Sequence, residues 1–167
     1  VSNRIRFSIH LLATFMMAYQ WGILNIDSWW MIVLTVILCT GVINAFNFMD
    51  GINGITGGYT IIVLAVILYT LNSSVSIQSN STTFVINSLV KTVLLADIVF
   101  CFFNFRKCAK CFSGDVGSVS IAFVILFALG FIIVNTKDLS WLSFLVVYGV
   151  AVPFQSLCLA PGIYSSA

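Results

Sequence analysis

Apolar residues gather into six runs separated by short polar stretches: Phe7 to Leu24, Trp29 to Ile43, Ile55 to Leu71, Phe84 to Phe103, Val119 to Val134 and Trp141 to Phe154. Several are shorter than the roughly 20 residues that cross a 30 Å hydrocarbon core at about 1.5 Å per residue. Their ends must therefore extend into polar neighbours. A single short run suits a buried helix of a soluble protein, but six in succession predict an all-α, polytopic membrane helix bundle of about six transmembrane helices. The first run is not read as a signal peptide, because five more follow it and it lacks a small-residue cleavage pattern.

Composition strengthens this picture. Of 167 residues, seven are Lys or Arg and five are Asp, so 7% carry charge while 60% are hydrophobic. A soluble domain devotes about a quarter of its residues to charge and just under half to apolar types. A net charge of +2 supplies no field for steering nucleic acid. Five Cys spread along so apolar a chain do not form a disulfide scaffold. Lipid is the solvent that fits, and no nucleic-acid partner is expected.

The charges also set orientation. With the N-terminus cytoplasmic, the inner connections hold Arg4, Arg6, Arg106, Lys107 and Lys110, and the outer ones hold only Lys137. The connection over residues 44–54 has no cation, and Asn72 to Thr83 is an uncharged Ser/Thr/Asn loop on the outer side.

Two Gly-rich polar segments fall on the same inner side. The first, N-A-F-N-F-M-D-G-I-N-G-I-T-G-G from Asn44, places Asn44, Asn47, Asp50 and Asn53 three residues apart. Adjacent members share a helix side, while the set drifts by about 60° per step. Its glycines allow tight turns or close approach to a ligand. The same spacing suits a polar helix end with Asn and Gly caps. The second, C-F-S-G-D-V-G-S from Cys111, puts Asp115 between two glycines, with Phe112 and three cations just upstream. A lone carboxylate can hold Mg²⁺ when a diphosphate supplies further oxygens, and cations with backbone N–H groups favour the same anion. An ordinary reading also stands, in which Asp115 merely caps the next helix.

Taken together, N-A-F-N-F-M-D-G-I-N-G-I and, about 60 residues on, F-S-G-D-V-G-S resemble the polyprenyl-phosphate N-acetylhexosamine-1-phosphate transferases of the WecA/MraY type, glycosyltransferase family 4. The resemblance covers Ile5 to about Val150. It is nearest to the WecA-like undecaprenyl-phosphate GlcNAc-1-phosphate branch, through N-A-F-N-F-M-D-G and the approach F-N-F-R-K-C-A-K-C-F. It implies a Mg²⁺-dependent transfer of GlcNAc-1-phosphate, or another N-acetylhexosamine-1-phosphate, from a UDP-sugar to undecaprenyl phosphate, with release of UMP. The setting implied is the cytoplasmic face of a bacterial plasma membrane, in cell-wall or surface-polysaccharide synthesis, with a homodimer among the assemblies.

By the same resemblance, Asp115 would be the Mg²⁺ ligand and Phe112 would stack on uracil. Asn47 and Asp50 would line the nucleotide and metal pocket, with Asn44 supporting that turn. Gly51, Ile52 and Asn53 would lie against the uracil edge. Family members often carry Asp where this chain has Asn53, so recognition there would use an amide with both donor and acceptor.

Two family features lie outside this sequence: an acidic Asp-Asp pair upstream and a His-rich loop downstream. The one histidine, His10, falls inside the first run. From Ala151 the chain reads A-V-P-F-Q-S-L-C-L-A-P-G-I-Y-S-S-A, with both prolines and no charge. The expectation is that residues 1–150 form the central part of the transferase domain. Residues 151–167 would be an atypical tail from truncation or frame disruption, leaving the fragment inactive alone.

Lys91 and Asp97 lie inside the fourth run, on well-separated sides of one helix. Ionisable groups within spans are costly and often functional, so a small transporter or channel fragment using this pair is the alternative. Lys91 can snorkel to the interface, and a partner for Asp97 is expected on a neighbouring helix. Cys108 and Cys111 have metal-like spacing without a second pair to complete four ligands, and read as reduced thiols. Trp21, Trp29 and Trp30 bracket an outer turn as an aromatic belt would.

Overall fold

A computed structural model describes residues 3–22, 29–50, 54–73, 81–105 and 110–136. They form α1 (Asn3–Gln20), α2 (Trp29–Met49), α3 (Ile55–Ser73), α4 (Ser81–Asn104) and α5 (Gly114–Thr136). The all-α bundle expected from the apolar runs is what is found. The sixth run, Trp141 to Phe154, and the tail after it lie outside the described residues.

Among the described residues, four helices, α2 to α5, are long and apolar enough to cross a membrane. At 24 residues, α4 is about 36 Å long, enough for a 30 Å core. The first helix has other bounds than the first apolar run: α1 starts at Asn3, four residues before Phe7, and takes in Arg4 and Arg6, and it is not one of those four. The boundaries of the two polar segments shift as well. Asn44 and Asn47 belong to the last turns of α2 rather than to a connection, and Asp115 lies in the first turn of α5.

The helices pack as a mutual core with apolar outer faces. α3 and α4 form the most extensive pair, α2 packs on α5 and α1, and α5 also touches α3 and α4. Ile43 and Phe46 of α2, Leu64, Ile67 and Leu71 of α3, Ile86 and Val90 of α4, and Ala122, Ile125 and Ile132 of α5 meet inside. Phe46 lies against Tyr59 with ring centroids 5.5 Å apart. Phe84, Leu95 and Phe102 on α4 and Ile62 on α3 point outward, as lipid requires and water would penalise. Hydroxyls within the helices turn back on their own backbone: Thr70 donates to Val66 O, Thr92 to Ser88 O and Ser120 to Val116 O. That satisfies each donor without a second helix.

Trp29 and Trp30 are exposed at the start of α2, as a belt predicts. Trp21 is not: it is buried, and its ring lies over Gly130 so closely that a Cβ there would sit 2.2 Å from it. The absent side chain at Gly130 is what lets an indole pack inside the bundle instead of at its rim.

Candidate functional site

The C-terminal ends of α2 and α4 and the N-terminal ends of α3 and α5 come together at one end of the bundle. Both Gly-rich segments are there. The join between them is direct: Asp50, just past α2, accepts a 2.6 Å hydrogen bond on Oδ2 from the Gly114 amide that opens α5. One turn back along α2, Asn47 Oδ1 accepts from Ser118 Oγ at 3.3 Å, and the same hydroxyl lies 2.8 Å from Gly114 O. Two residues separated by 64 positions in the chain thus fix where α5 begins.

The start of α3 is held the same way. Gly54 N donates to Asn104 Oδ1 at 2.6 Å, and Asn104 Nδ2 donates to Cys111 O at 2.8 Å. Asn104 is the last residue of α4 and is only 3% exposed, so one carboxamide ties the end of the first segment to the beginning of the second. Gly54 and Gly114 both have left-handed φ, 82° and 67°. Side chains other than Gly disfavour that region by roughly 1–2 kcal/mol. In each case the glycine turns its amide away from its own helix and towards a side chain at the end of another. Helix starts leave backbone N–H groups without intrahelical partners, and the cross-helix oxygens of Asp50 and Asn104 take one each.

Around this frame the residues singled out from sequence fall as follows. Asp115 is exposed in the first turn of α5, next to the glycine that Asp50 holds, so both carboxylates sit at one helix N-terminus where the dipole favours negative charge. Phe112 is 59% exposed, two residues before that start. Asn44 is exposed on α2, one turn before Asn47, and residues 51–53 of the turn it was expected to support lie outside the described residues. Gly51, Ile52 and Asn53 lie outside the described residues, as do Arg106, Lys107 and Cys108. Lys110 is exposed at the same end, its amide bonded to Phe103 O at 3.2 Å.

Mg²⁺ chemistry fits these donors. No group of three or more His, Cys, Asp or Glu that could hold a metal occurs among the described residues. Mg²⁺ does not ask for one, since it is usually bound through one or two carboxylates plus phosphate oxygens and water. Asp50 uses one oxygen on Gly114 and keeps Oδ1 for a further ligand, while Asp115 faces solvent beside it.

Sequence reasoning passed over Asn104 and Ser118. The signal for Asn104 was an amide closing a long apolar run, since a polar side chain at that depth needs partners.

Asp97 is separate from this end. It is buried on α4 at 2% exposure and accepts from Thr60 of α3, as a partner on a neighbouring helix requires, while Lys91 is exposed. The two point apart, as their spacing on one helix predicts.

Comparison with known proteins agrees with the motifs. The model of glycosyl transferase family 4 matches residues 2–135. A protein of Bacillus subtilis (strain 168), described as a probable undecaprenyl-phosphate N-acetylglucosaminyl 1-phosphate transferase, is 33% identical over 97 residues, or 58% of this chain. The match spans about a quarter of that relative's length, 25%. No solved structure matches significantly.

Proposed function

The chain belongs to glycosyl transferase family 4, and from that premise we propose that it serves the transfer of a sugar 1-phosphate, GlcNAc-1-phosphate first among the candidates, from a UDP-sugar to undecaprenyl phosphate. An oxygen of the lipid phosphate attacks the sugar-bearing phosphorus of the donor. A new P–O–P bond forms, the old one breaks, and UMP leaves with the bridging oxygen. The acceptor's phosphate sits at the interface while its tail stays in lipid, which is why the site belongs at the end of a helix bundle. The face is the cytoplasmic one of a bacterial plasma membrane, because the sequence puts Arg106, Lys107 and Lys110 in the connection between α4 and α5.

The observation that carries this reading is the Asp50–Gly114 hydrogen bond, which brings the two acidic, Gly-rich segments to one place. Two anions must meet there. At 4 Å and an effective dielectric of 20, each pair of unit charges repels by about 4 kcal/mol. Mg²⁺, when bound, supplies Lewis-acid neutralisation of that charge. Asp115 and the open oxygen of Asp50 would hold it. Asp50 also fixes the first turn of α5, whose N–H groups and dipole favour the donor's phosphates. Phe112 presents an open ring to the uracil, and Lys110 adds positive charge alongside. Asn47 holds Ser118, and with it the geometry of the turn that carries Asp115. Orientation of this kind is what converts two bound substrates into a reacting pair.

The test is thermal unfolding of the purified chain in nanodiscs. UDP-GlcNAc should stabilise it in the presence of Mg²⁺ and not with EDTA, and Asp115→Asn should remove the effect while leaving the unliganded midpoint near that of the wild type. Equal stabilisation with and without Mg²⁺, or in Asp115→Asn, would refute the assignment.

A further inference from the structure

α3 and α4 meet along a polar seam that runs from the bundle interior to the candidate site. Its rungs follow antiparallel order. Gly54 N donates to Asn104 Oδ1 at the top. One turn below, Gly57 lies against Cys101, where a Cβ would approach Sγ to 2.4 Å. At the bottom the Thr60 hydroxyl donates to Asp97 Oδ2, with Gly57 O 3.0 Å from the same hydroxyl. Thr60 and Asp97 are 0% and 2% exposed, and Asp97 Oδ1 has no partner among the described residues.

Asp97 is an expensive choice at this place. A carboxyl inside a span costs more than any apolar residue of its size, and well-packed apolar side chains commonly replace buried polar pairs without loss of stability. What an apolar pair lacks is register. Apolar helix faces slide past one another at little cost, whereas a carboxyl in lipid with a single hydroxyl partner holds only one alignment. A slip of one residue, about 1.5 Å along and 100° around, would part Thr60 from Asp97 and put a side chain where Gly57 must be bare. It would also draw Gly54 away from Asn104, seven residues or about 10 Å further along α4.

We propose that Asp97 is a positioning residue: through Thr60 it sets the register of α3 on α4, and that register places Gly54, Asn104 and Cys111 beside Phe112 at the nucleotide end. The register itself stands on contacts alone, while its consequence for nucleotide binding rests on the transferase reading.

Hydrogen exchange of the chain in nanodiscs separates the two. An interhelical polar contact in a membrane changes an opening equilibrium by about 3- to 15-fold. Asp97→Leu should therefore speed amide exchange over residues 54–58 and 110–114 by that factor, and weaken Mg²⁺-dependent UDP-GlcNAc binding equally. Asp97→Asn still accepts from Thr60 and should restore both to within about twofold. Thr60→Val leaves Asp97 in place, should reproduce the Asp97→Leu exchange pattern, and serves if that variant does not fold. Unchanged exchange at both segments in Asp97→Leu and Thr60→Val, or an Asp97→Asn variant as impaired as Asp97→Leu, would overturn the proposal. Faster exchange in variants of a chain whose wild type binds no UDP-GlcNAc would uphold the register role and sink the transferase reading instead.

Discussion

Removing the Asn104 carboxamide should loosen both halves of the candidate site at once. Asn104→Ala deletes the acceptor for Gly54 N–H and the donor to Cys111 C=O, bonds of 2.6 and 2.8 Å made by a side chain 3% exposed. A buried backbone group left without a partner costs about 1–3 kcal/mol. Two such groups set an upper bound of about 6 kcal/mol, and water entering at the membrane edge reduces the expected loss to about 2–4 kcal/mol. Asn104→Asp divides the effect. Its carboxylate still accepts from Gly54, with charge assistance, but presents oxygen to the Cys111 carbonyl and repels it. Chemical denaturation with hydrogen exchange reads both variants. In Asn104→Ala, exchange should rise at residues 54–58 and at 110–114. In Asn104→Asp, the rise should be confined to 110–114, with a smaller loss of stability. Equal exchange of the two segments in Asn104→Asp, or an Asn104→Ala variant within 0.5 kcal/mol of wild type, the ordinary range for surface changes, would refute the bridging geometry.

Three further outcomes follow from the packing. Gly130→Ala forces a methyl to 2.2 Å from the Trp21 ring, so it should destabilise by about 1–3 kcal/mol despite the better helix propensity of Ala, and shift Trp emission as the indole moves. A Gly130→Ala chain as stable as the parent with unaltered fluorescence would contradict the packing. Gly54→Ala adds left-handed strain at φ 82° to a contact 3.2 Å from the Phe105 ring, and should cost about 1–2 kcal/mol in denaturation and accelerate exchange at the start of α3. Lys91→Gln removes an exposed cation and should change stability and UDP-GlcNAc binding by less than about 0.5 kcal/mol, whereas a loss of either would show that Lys91 takes part in the fold or the site.

The interior of the bundle was legible because lipid imposes a one-dimensional rule: apolar stretches become helices, since every backbone group must be paired within the segment. The ends were not, for the same reason. Hydropathy drops at Asn44, yet α2 continues to Met49, because leaving the helix at that depth would strand backbone groups that further turns satisfy. α5 likewise begins at Gly114, five residues before the apolar run at Val119, because Asp50 takes the Gly114 amide. Trp21 looked like a belt residue by position. Only its partner, 109 residues further on at Gly130, reveals it as core.

The site follows the opposite logic. Its chemical types were visible in the motifs as residues that a membrane chain has no cheap use for, but the contacts that assemble them were not. Asp50 reaches across 64 positions and Asn104 across 50, and nothing local in either segment announces those distances. With twelve charged residues in 167, however, each polar group inside an apolar run is a question that the bilayer obliges the fold to answer. Asp97 is answered by Thr60, Asn104 by Gly54 and Cys111, and Asn47 by Ser118. Each answer comes from a different segment of the chain from its question. Polar residues that join segments, such as Asp97, Asn104 and Asn47, are therefore hard to tell apart in sequence from those that would present chemistry at the surface, because both interrupt the same apolar pattern.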